Sequence, residues 1–272
     1  MTAEPAAAAD PSDAGGAADG EPSGDFVQSF ARGLAVIRAF DADHAELTLS
    51  EVAARADVPR AAARRFLMTL VSLGYVRTSD RTFALTPRVL ELGYSYLSSL
   101  SLPAIAQPHL ERLSREVDES TSLAVLDGTN VVYVARVPTR RIMSVNITIG
   151  TRFPAWATSL GRVLLAAQSD DDMSAALAGT QIRAYTRSTI IDRSALFDEI
   201  RKVRAADYAV VDGELEEGLR SIAAPVRDAH GTVLAAVNVS TARTDDVESE
   251  LERVLPALRR ATGAIEADLV VR

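Results

Sequence analysis

The chain has 272 residues, 47% hydrophobic and 24% charged, with a formal net charge of −8. That is enough chain for one large core or two modest ones in a soluble protein. It contains no cysteine, which excludes disulfides, thiolate nucleophiles and cysteine-ligated zinc together, and no apolar run approaches the ~20 residues of a membrane span. With neither a basic leader nor an apolar one at the start, the expected location is the cytoplasm.

Charge is segregated along the chain. Residues 1–25 hold six acidic side chains and no basic one, residues 26–98 hold nine arginines against seven carboxylates, and the remainder is acidic overall. One basic segment in an acidic protein suits a part that meets a polyanion beside a part with another task. In chain order, residues 1–25 are rich in Ala, Gly, Asp, Ser and Pro without large apolar side chains. They read as a disordered tail. Val27, Phe30, Leu34, Ile37 and Phe40 recur at three- and four-residue spacing, which predicts a helix with one buried face up to about Phe40. Thr48 with Glu51 three residues on forms a capping box ahead of Leu49, Val52, Ala53 and Ala56, predicting a short second helix. Pro59 opens a third, tolerated at a first turn where its missing N–H has no intrahelical partner anyway. It runs to about Leu73 and stops at Gly74.

On the third helix Phe66, Leu67, Leu70 and Leu73 make an apolar stripe, while Arg60 and Arg64 lie one turn apart on an outward face. Two β-prone runs, Tyr75–Thr78 and Thr82–Leu85, follow as a hairpin across Ser79-Asp80-Arg81. Three helices and a hairpin make a winged helix-turn-helix, whose third helix enters the major groove of double-stranded DNA. Arg60, Ala61, Ala62 and Arg64 are then candidates for base edges, because small side chains admit close approach and an alanine methyl packs on a thymine methyl. Arg65, Arg77 and Arg81 suit phosphates, which position without specifying. Ser50, early on the second helix, joins the DNA-contacting set. The competing reading keeps these arginines as a solvated face and gives the winged fold to protein contacts.

"FVQSFARGLAVIRAF", "LTLSEVAARADVPRAAARRFLMTLVSLGYV", "PAWATSLGRVLLA" and "LEEGLRSIAAPVRDAHGTVLAAVNVS" resemble the IclR family of bacterial transcription regulators. "RAAARRFL" resembles its subgroup controlling the β-ketoadipate pathway and hydroxybenzoate breakdown (PcaR/PcaU/PobR). The likeness runs from Phe26 to the C-terminus. Ala61-Ala62 departs from the wider family, where Ser or Thr is common, and agrees with the subgroup.

After Thr86-Pro87, residues 88–101 carry Leu90, Gly93, Leu97 and Leu100 on one side, with Tyr94 and Tyr96 flanking. They suit a linker helix that pairs with its twin, broken by Leu102-Pro103, or a cap on the winged unit. Residues 102–272 then alternate helix and strand signals. A helix reaches Val117, strands cover Ser122–Leu126 and Val131–Val137 around an Asp127-Gly128-Thr129-Asn130 turn, another covers Met143–Ile149, and a helix spans about Thr158–Ala167. Strands over Tyr208–Val211, Ser221–Val226 and Val233–Val239 precede a last helix from about Asp245 to Val270, which Pro256 should kink. The fold class is therefore two-domain α/β: a mainly helical winged unit over 26–87, the linker, and an α+β unit around an antiparallel sheet. The resemblance implies a GAF-like effector-binding and oligomerising domain, in a homodimer or a dimer of dimers.

One sheet face is expected to be covered by the Thr158 helix, leaving a pocket at the strand ends. The resemblance assigns polar groups there to Ser159 and Leu160, to Asp212, and to Ser221, Asn238 and Ser240. Thr158 and Trp156 adjoin them. The residues agree in part: a helix N-terminus is a ready carboxylate site, and Asn238 and Ser240, two apart on an apolar strand, share one face. Trp156, the only tryptophan, either stacks on an aromatic ring or packs in the core. Arg136 and Arg152 are possible carboxylate clamps, or plain surface residues. The expected ligand is a small aromatic carboxylate or related catabolite; the alternative is a constitutive regulator whose second domain only oligomerises.

No catalytic set is evident. His44, His109 and His230 stand far apart with no i, i+4 metal pair, and no G-x-S-x-G elbow, P-loop or dinucleotide fingerprint occurs. Asp212, Glu214, Glu216 and Glu217 read as a solvated loop rather than as an acid–base pair or a divalent-metal site. No enzyme activity, metal, cofactor or membrane partner is expected.

Overall fold

The computed structural model describes residues 26–41, 43–92, 101–139, 147–242 and 246–270. They divide into two compact units, meeting in sequence between Leu100 and Ser101.

In the first unit α1 (Gln28–Arg38), α2 (Leu49–Arg55) and α3 (Arg60–Ser72) surround a core that includes Val36, Phe40, Val52, Ala63, Leu67 and Leu70. The predicted stripe of α1 is buried only at its end. Phe40 is in the core and Ile37 packs against it, but Phe30 is 68% exposed and Val27 and Leu34 are exposed too; Val36 and Ala39 turn inward in their place. The helix is apolar on two sides, and periodicity alone does not say which side meets the core.

The capping box of α2 forms as expected. Thr48 Oγ1 accepts from Glu51 N at 3.4 Å, and Thr48 N donates to Glu51 Oε2 at 2.7 Å. Helix α3 ends in a Schellman motif: Gly74 takes φ +81°, Tyr75 N donates to Leu70 O at 2.9 Å and Gly74 N to Val71 O at 3.0 Å. Leu73, at the C-cap, is half exposed and leaves the predicted stripe. The wing is β2 (Val76–Ser79) and β3 (Thr82–Leu85), with β1 (Leu47–Thr48) added to give the order β1-β3-β2. Asp80 supplies the positive φ of the tight turn in place of glycine.

Pro87–Leu90 is a 3₁₀ turn. The rest of the expected linker helix from Gly93, most of the Met143–Ile149 strand and the tail 1–25 lie outside the described residues; Ile147–Ile149 are not strand.

The second unit is a six-stranded antiparallel sheet between two helical layers. Its strands β4 (Ser120–Asp127), β5 (Asn130–Val137), β6 (Arg152–Pro154), β7 (Ala209–Asp212), β8 (Leu219–Arg227) and β9 (Val233–Ala242) lie in the order β6-β5-β4-β9-β8-β7. On one face α4 (Ser101–Val117) and α8 (Val247–Val270) pack against Leu123, Ile222, Val237 and Val239. On the other, α5 (Ser159–Ala166), α6 (Asp170–Ala178) and α7 (Arg193–Ala206) pack against Ala124, Ala223 and Ala236. Both faces are thus covered, one of them by the expected Thr158 helix. Pro103 does not break a helix but sits in the first turn of α4, where a proline is harmless, and α8 continues through Pro256 as one helix.

Helices α6 and α7 are not among the elements expected from the sequence. Both are capped, by Ser169 Oγ accepting from Asp172 N at 3.1 Å and by Asp192 Oδ1 accepting from Ala195 N at 2.8 Å. Helix α5 is capped by Thr158 Oγ1, which accepts from Gly161 N at 3.0 Å.

Candidate functional site

Helix α3 presents Arg60, Ala61, Arg64 and Arg65 to solvent, while Ala63 is fully buried and Ala62 half-buried against the core. Ala62 is therefore only partly free for a base edge. Arg60, Arg64, Arg65 and Arg81 have no side-chain hydrogen bond or ion pair among the described residues. An exposed cation without a protein counter-ion is available to a phosphate or a base. Arg77, by contrast, donates to Glu46 at 2.8 Å, which leaves it partly neutralised beside a phosphate. Ser50 is exposed on α2.

In the second unit, strand register assembles a polar row. Arg136 lies opposite Ser122, Ser122 opposite Asn238, and Asn238 opposite Ala223; one step along, Ser120 lies opposite Ser240 and Ser240 opposite Ser221. Alternation of side chains puts all of these polar groups on the face beneath α5. Ser159, at the first turn of α5, closes the set from above: its Oγ is 2.7 Å from Ser221 Oγ. Asn238 Nδ2 donates to Ser221 Oγ at 2.7 Å and to Ser240 Oγ at 3.1 Å. Four residues singled out in the sequence thus meet at one point.

The cluster is incompletely satisfied. Asn238 is 3% exposed, yet its Oδ1 has no partner among the described residues, and neither has Nε1 of Trp156, 1% exposed. A buried polar atom left unpaired costs about 1–3 kcal/mol, so a native protein normally supplies its partner. The backbone N–H groups of Ser159 and Leu160, at the start of α5, also have no acceptor among the described residues, as the first turn of a helix dictates. Trp156 packs beside Tyr185 with ring centroids 5.8 Å apart.

Arg136, which residue type alone leaves ambiguous, belongs to the row. It is half-buried, and its Nη1 donates to Ser122 Oγ at 3.1 Å. Desolvation by burial lowers its pKa; the neighbouring Tyr133 opposes this weakly. Tyr133 is itself buried edge-on to Phe153, and burial pushes its phenol up to about 12. Two candidates fall elsewhere. Asp212 faces the opposite side of the sheet, where Arg220 Nη2 reaches it at 3.2 Å and Arg220 Nη1 meets Glu250 at 2.6 Å. Arg152, on edge strand β6, pairs with Asp127 at 2.6 Å. A concavity of about 910 Å³ opens at the other end of α5, between Leu126, Val163, Val203 and Val233. It holds none of the polar row, and its arginines Arg204 and Arg227 are already bound to Asp170 and Asp207. The row under Ser159, with the unpaired Asn238 Oδ1 and Trp156 Nε1 beside it, is the candidate ligand site.

Residues 29–80 match the IclR helix-turn-helix domain and residues 94–267 match the family described as bacterial transcriptional regulator IclR C-terminal. Among curated relatives, the Pca regulon regulatory protein of Pseudomonas putida is 47% identical over 89% of this chain and 84% of its own length. The p-hydroxybenzoate hydroxylase transcriptional activator of Acinetobacter baylyi is 37% identical over 89% of this chain and 91% of its own. Among solved structures, a transcriptional regulator from Rhodococcus sp. RHA1 superposes with a TM-score of 0.80 at 57% identity, covering 90% of this chain and 98% of that one. An IclR homologue of Microbacterium hydrocarbonoxydans, in complex with 4-hydroxybenzoate, superposes with a TM-score of 0.79 at 30% identity, over 89% and 98% of the two chains. A winged helix-turn-helix followed by an α+β unit, matched in both parts and over nearly the whole length, places this chain in the IclR family of bacterial transcriptional regulators.

Proposed function

We propose that this regulator reads a palindromic operator as a homodimer through α3, and that a small aromatic carboxylate bound under α5 adjusts its hold on DNA. In this reading residues 26–87 are the DNA reader, 88–101 the connector and 102–272 the sensor. The observation that carries the sensing half is the unpaired Asn238 Oδ1, buried in a polar row directly under a helix N-terminus. The ligand's carboxylate is received by the N–H groups of Ser159 and Leu160 and by the hydroxyls of Ser159 and Ser221; Trp156 flanks the ring. Two relatives named for Pca and p-hydroxybenzoate regulation, and a structural neighbour holding 4-hydroxybenzoate, support that ligand class. The effector acts by its different affinity for the conformations of the dimer. The family assignment argues against turnover of the ligand, which incubation with aromatic acids and product analysis tests directly.

Isothermal titration with protocatechuate, 4-hydroxybenzoate and β-ketoadipate tests the sensor. At least one binds, and Asn238→Leu abolishes the binding while preserving the fold; heatless titrations with all three instead favour a constitutive regulator whose second unit only oligomerises. For the DNA half, Arg64→Ala lowers operator affinity by ~1–3 kcal/mol and relaxes preference at one base position. A uniform loss over all sequences makes Arg64 a phosphate contact instead.

A further inference from the structure

The site just described has a second end. The Arg136 guanidinium, drawn to Ser122 Oγ, lies above β4; Asn238 sits on β9, the next strand, and Ser159 meets Ser221 over β8, the strand after that. Two strand spacings of about 4.8 Å put the Arg136 tip roughly 10 Å from the first turn of α5. Allowing a hydrogen bond of about 2.9 Å at each end, inclined to the line between them, leaves ~5–7 Å between the terminal oxygens of a ligand. That is the reach of a benzoate carrying a para substituent.

What stands at the far end is a matched pair. Arg136 offers donors, makes one hydrogen bond and has no carboxylate acting on it among the described residues. One strand away, Asn238 commits its amide group to Ser221 and Ser240, leaving Oδ1 as a buried acceptor with nothing to accept among the described residues. A donor beside an acceptor fits a hydroxyl, which accepts from one and donates to the other. A second carboxylate accepts from Arg136 but sets its charge against the Asn238 carbonyl.

Resting on the effector reading above, we infer that Arg136 and Asn238 Oδ1 read the para-hydroxyl of a 4-hydroxybenzoate-type effector, with the carboxylate held at the α5 N-terminus, and so reject acids that lack that hydroxyl. A site built to bond a hydroxyl discriminates strongly against its absence, because the buried acceptor is then stranded.

The test is isothermal titration of the full chain with 4-hydroxybenzoate, benzoate and adipate, for wild type, Arg136→Gln and Arg136→Lys. Wild type binds 4-hydroxybenzoate at least ~100-fold more tightly than benzoate, and more tightly than adipate. Arg136→Gln weakens 4-hydroxybenzoate ~10- to 100-fold and leaves benzoate nearly unchanged, so the ratio between them collapses; Arg136→Lys recovers part of it. A merely structural arginine would weaken both acids together. The inference is overturned if wild type binds benzoate as tightly as 4-hydroxybenzoate, if it prefers adipate, or if Arg136→Gln keeps the wild-type ratio. In those cases, binding that is still lost in Asn238→Leu leaves the effector site itself standing. Wild type binding none of the three overturns this inference; the effector reading falls with it only when protocatechuate and β-ketoadipate give no heat either.

Discussion

Gly161→Ala is expected to unfold the second unit or to displace α5 from it. A methyl group at residue 161 would lie 2.0 Å from the carbonyl oxygen of Ala155 and 2.2 Å from its Cα. Both are backbone atoms of the buried turn over Ala155–Ala157, so no side-chain rotation relieves the overlap. Helix and turn must separate, opening a core that holds Trp156, Leu160, Val163 and Leu164. Overpacking of this kind costs more than ~3 kcal/mol. Thermal melts by circular dichroism measure it, and a wild-type melt for Gly161→Ala would show that the turn yields freely. Any surviving fold should have lost its ligand heat, because the same displacement carries away the N–H groups of Ser159 and Leu160.

Glu214→Ala should be nearly as damaging, by a different mechanism. Arg162 is 1% exposed, and its Nη2 donates to Glu214 Oε2 at 2.6 Å while its Nε donates to Trp156 O at 3.2 Å. Glu214 also accepts from Ile190 N at 3.2 Å. The pair therefore ties the loop after β7 to α5, to the tryptophan turn and to the segment before α7. Removing the carboxylate leaves a guanidinium buried without a counter-charge, at a cost of about 3–5 kcal/mol. Replacing both partners by apolar residues of similar volume, Arg162→Met with Glu214→Leu, should restore much of that loss, since neither charge then remains to be desolvated. A double-mutant cycle on the melting temperatures decides it. Equal losses in the single and double variants would mean that the contact matters for shape and not for charge.

How far the fold is legible in the sequence depends on how local each signal is. The capping box at Thr48, the stop at Gly74 and the Asp127–Asn130 turn are complete within a few residues, and the structure has each of them. Helix α7 carries a readable signal, Asp192 as cap with Leu196, Ile200 and Val203 following at helical spacing. Helix α6 offers only Met173 and Leu177 behind three aspartates, and β1 has two residues, too few for any period to show. Facing is harder to read than periodicity. Helix α1 is apolar on two sides, and only tertiary packing chooses Val36 over Phe30.

The same distinction divides the candidate site. A side-chain period of two is enough to put Asn238 and Ser240 on one face, whereas Ser221 joins them only through strand register, which depends on a distant segment. Asp212 misleads because it sits near Ser221 in the sheet but lines up with Arg220, one residue out of phase and hence on the other face. Arg136 and Arg152 are indistinguishable by residue type. What separates them is that one strand carries its arginine inward to Ser122 while an edge strand hands the other to Asp127.

The chain has one tryptophan, at residue 156. All indole fluorescence therefore originates in the second unit, and the winged unit contributes none. Emission from that single ring, buried in the folded protein, shifts to the red when the second unit melts. Recorded beside the far-ultraviolet dichroism that both units share, it separates their unfolding within one undivided, unlabelled molecule.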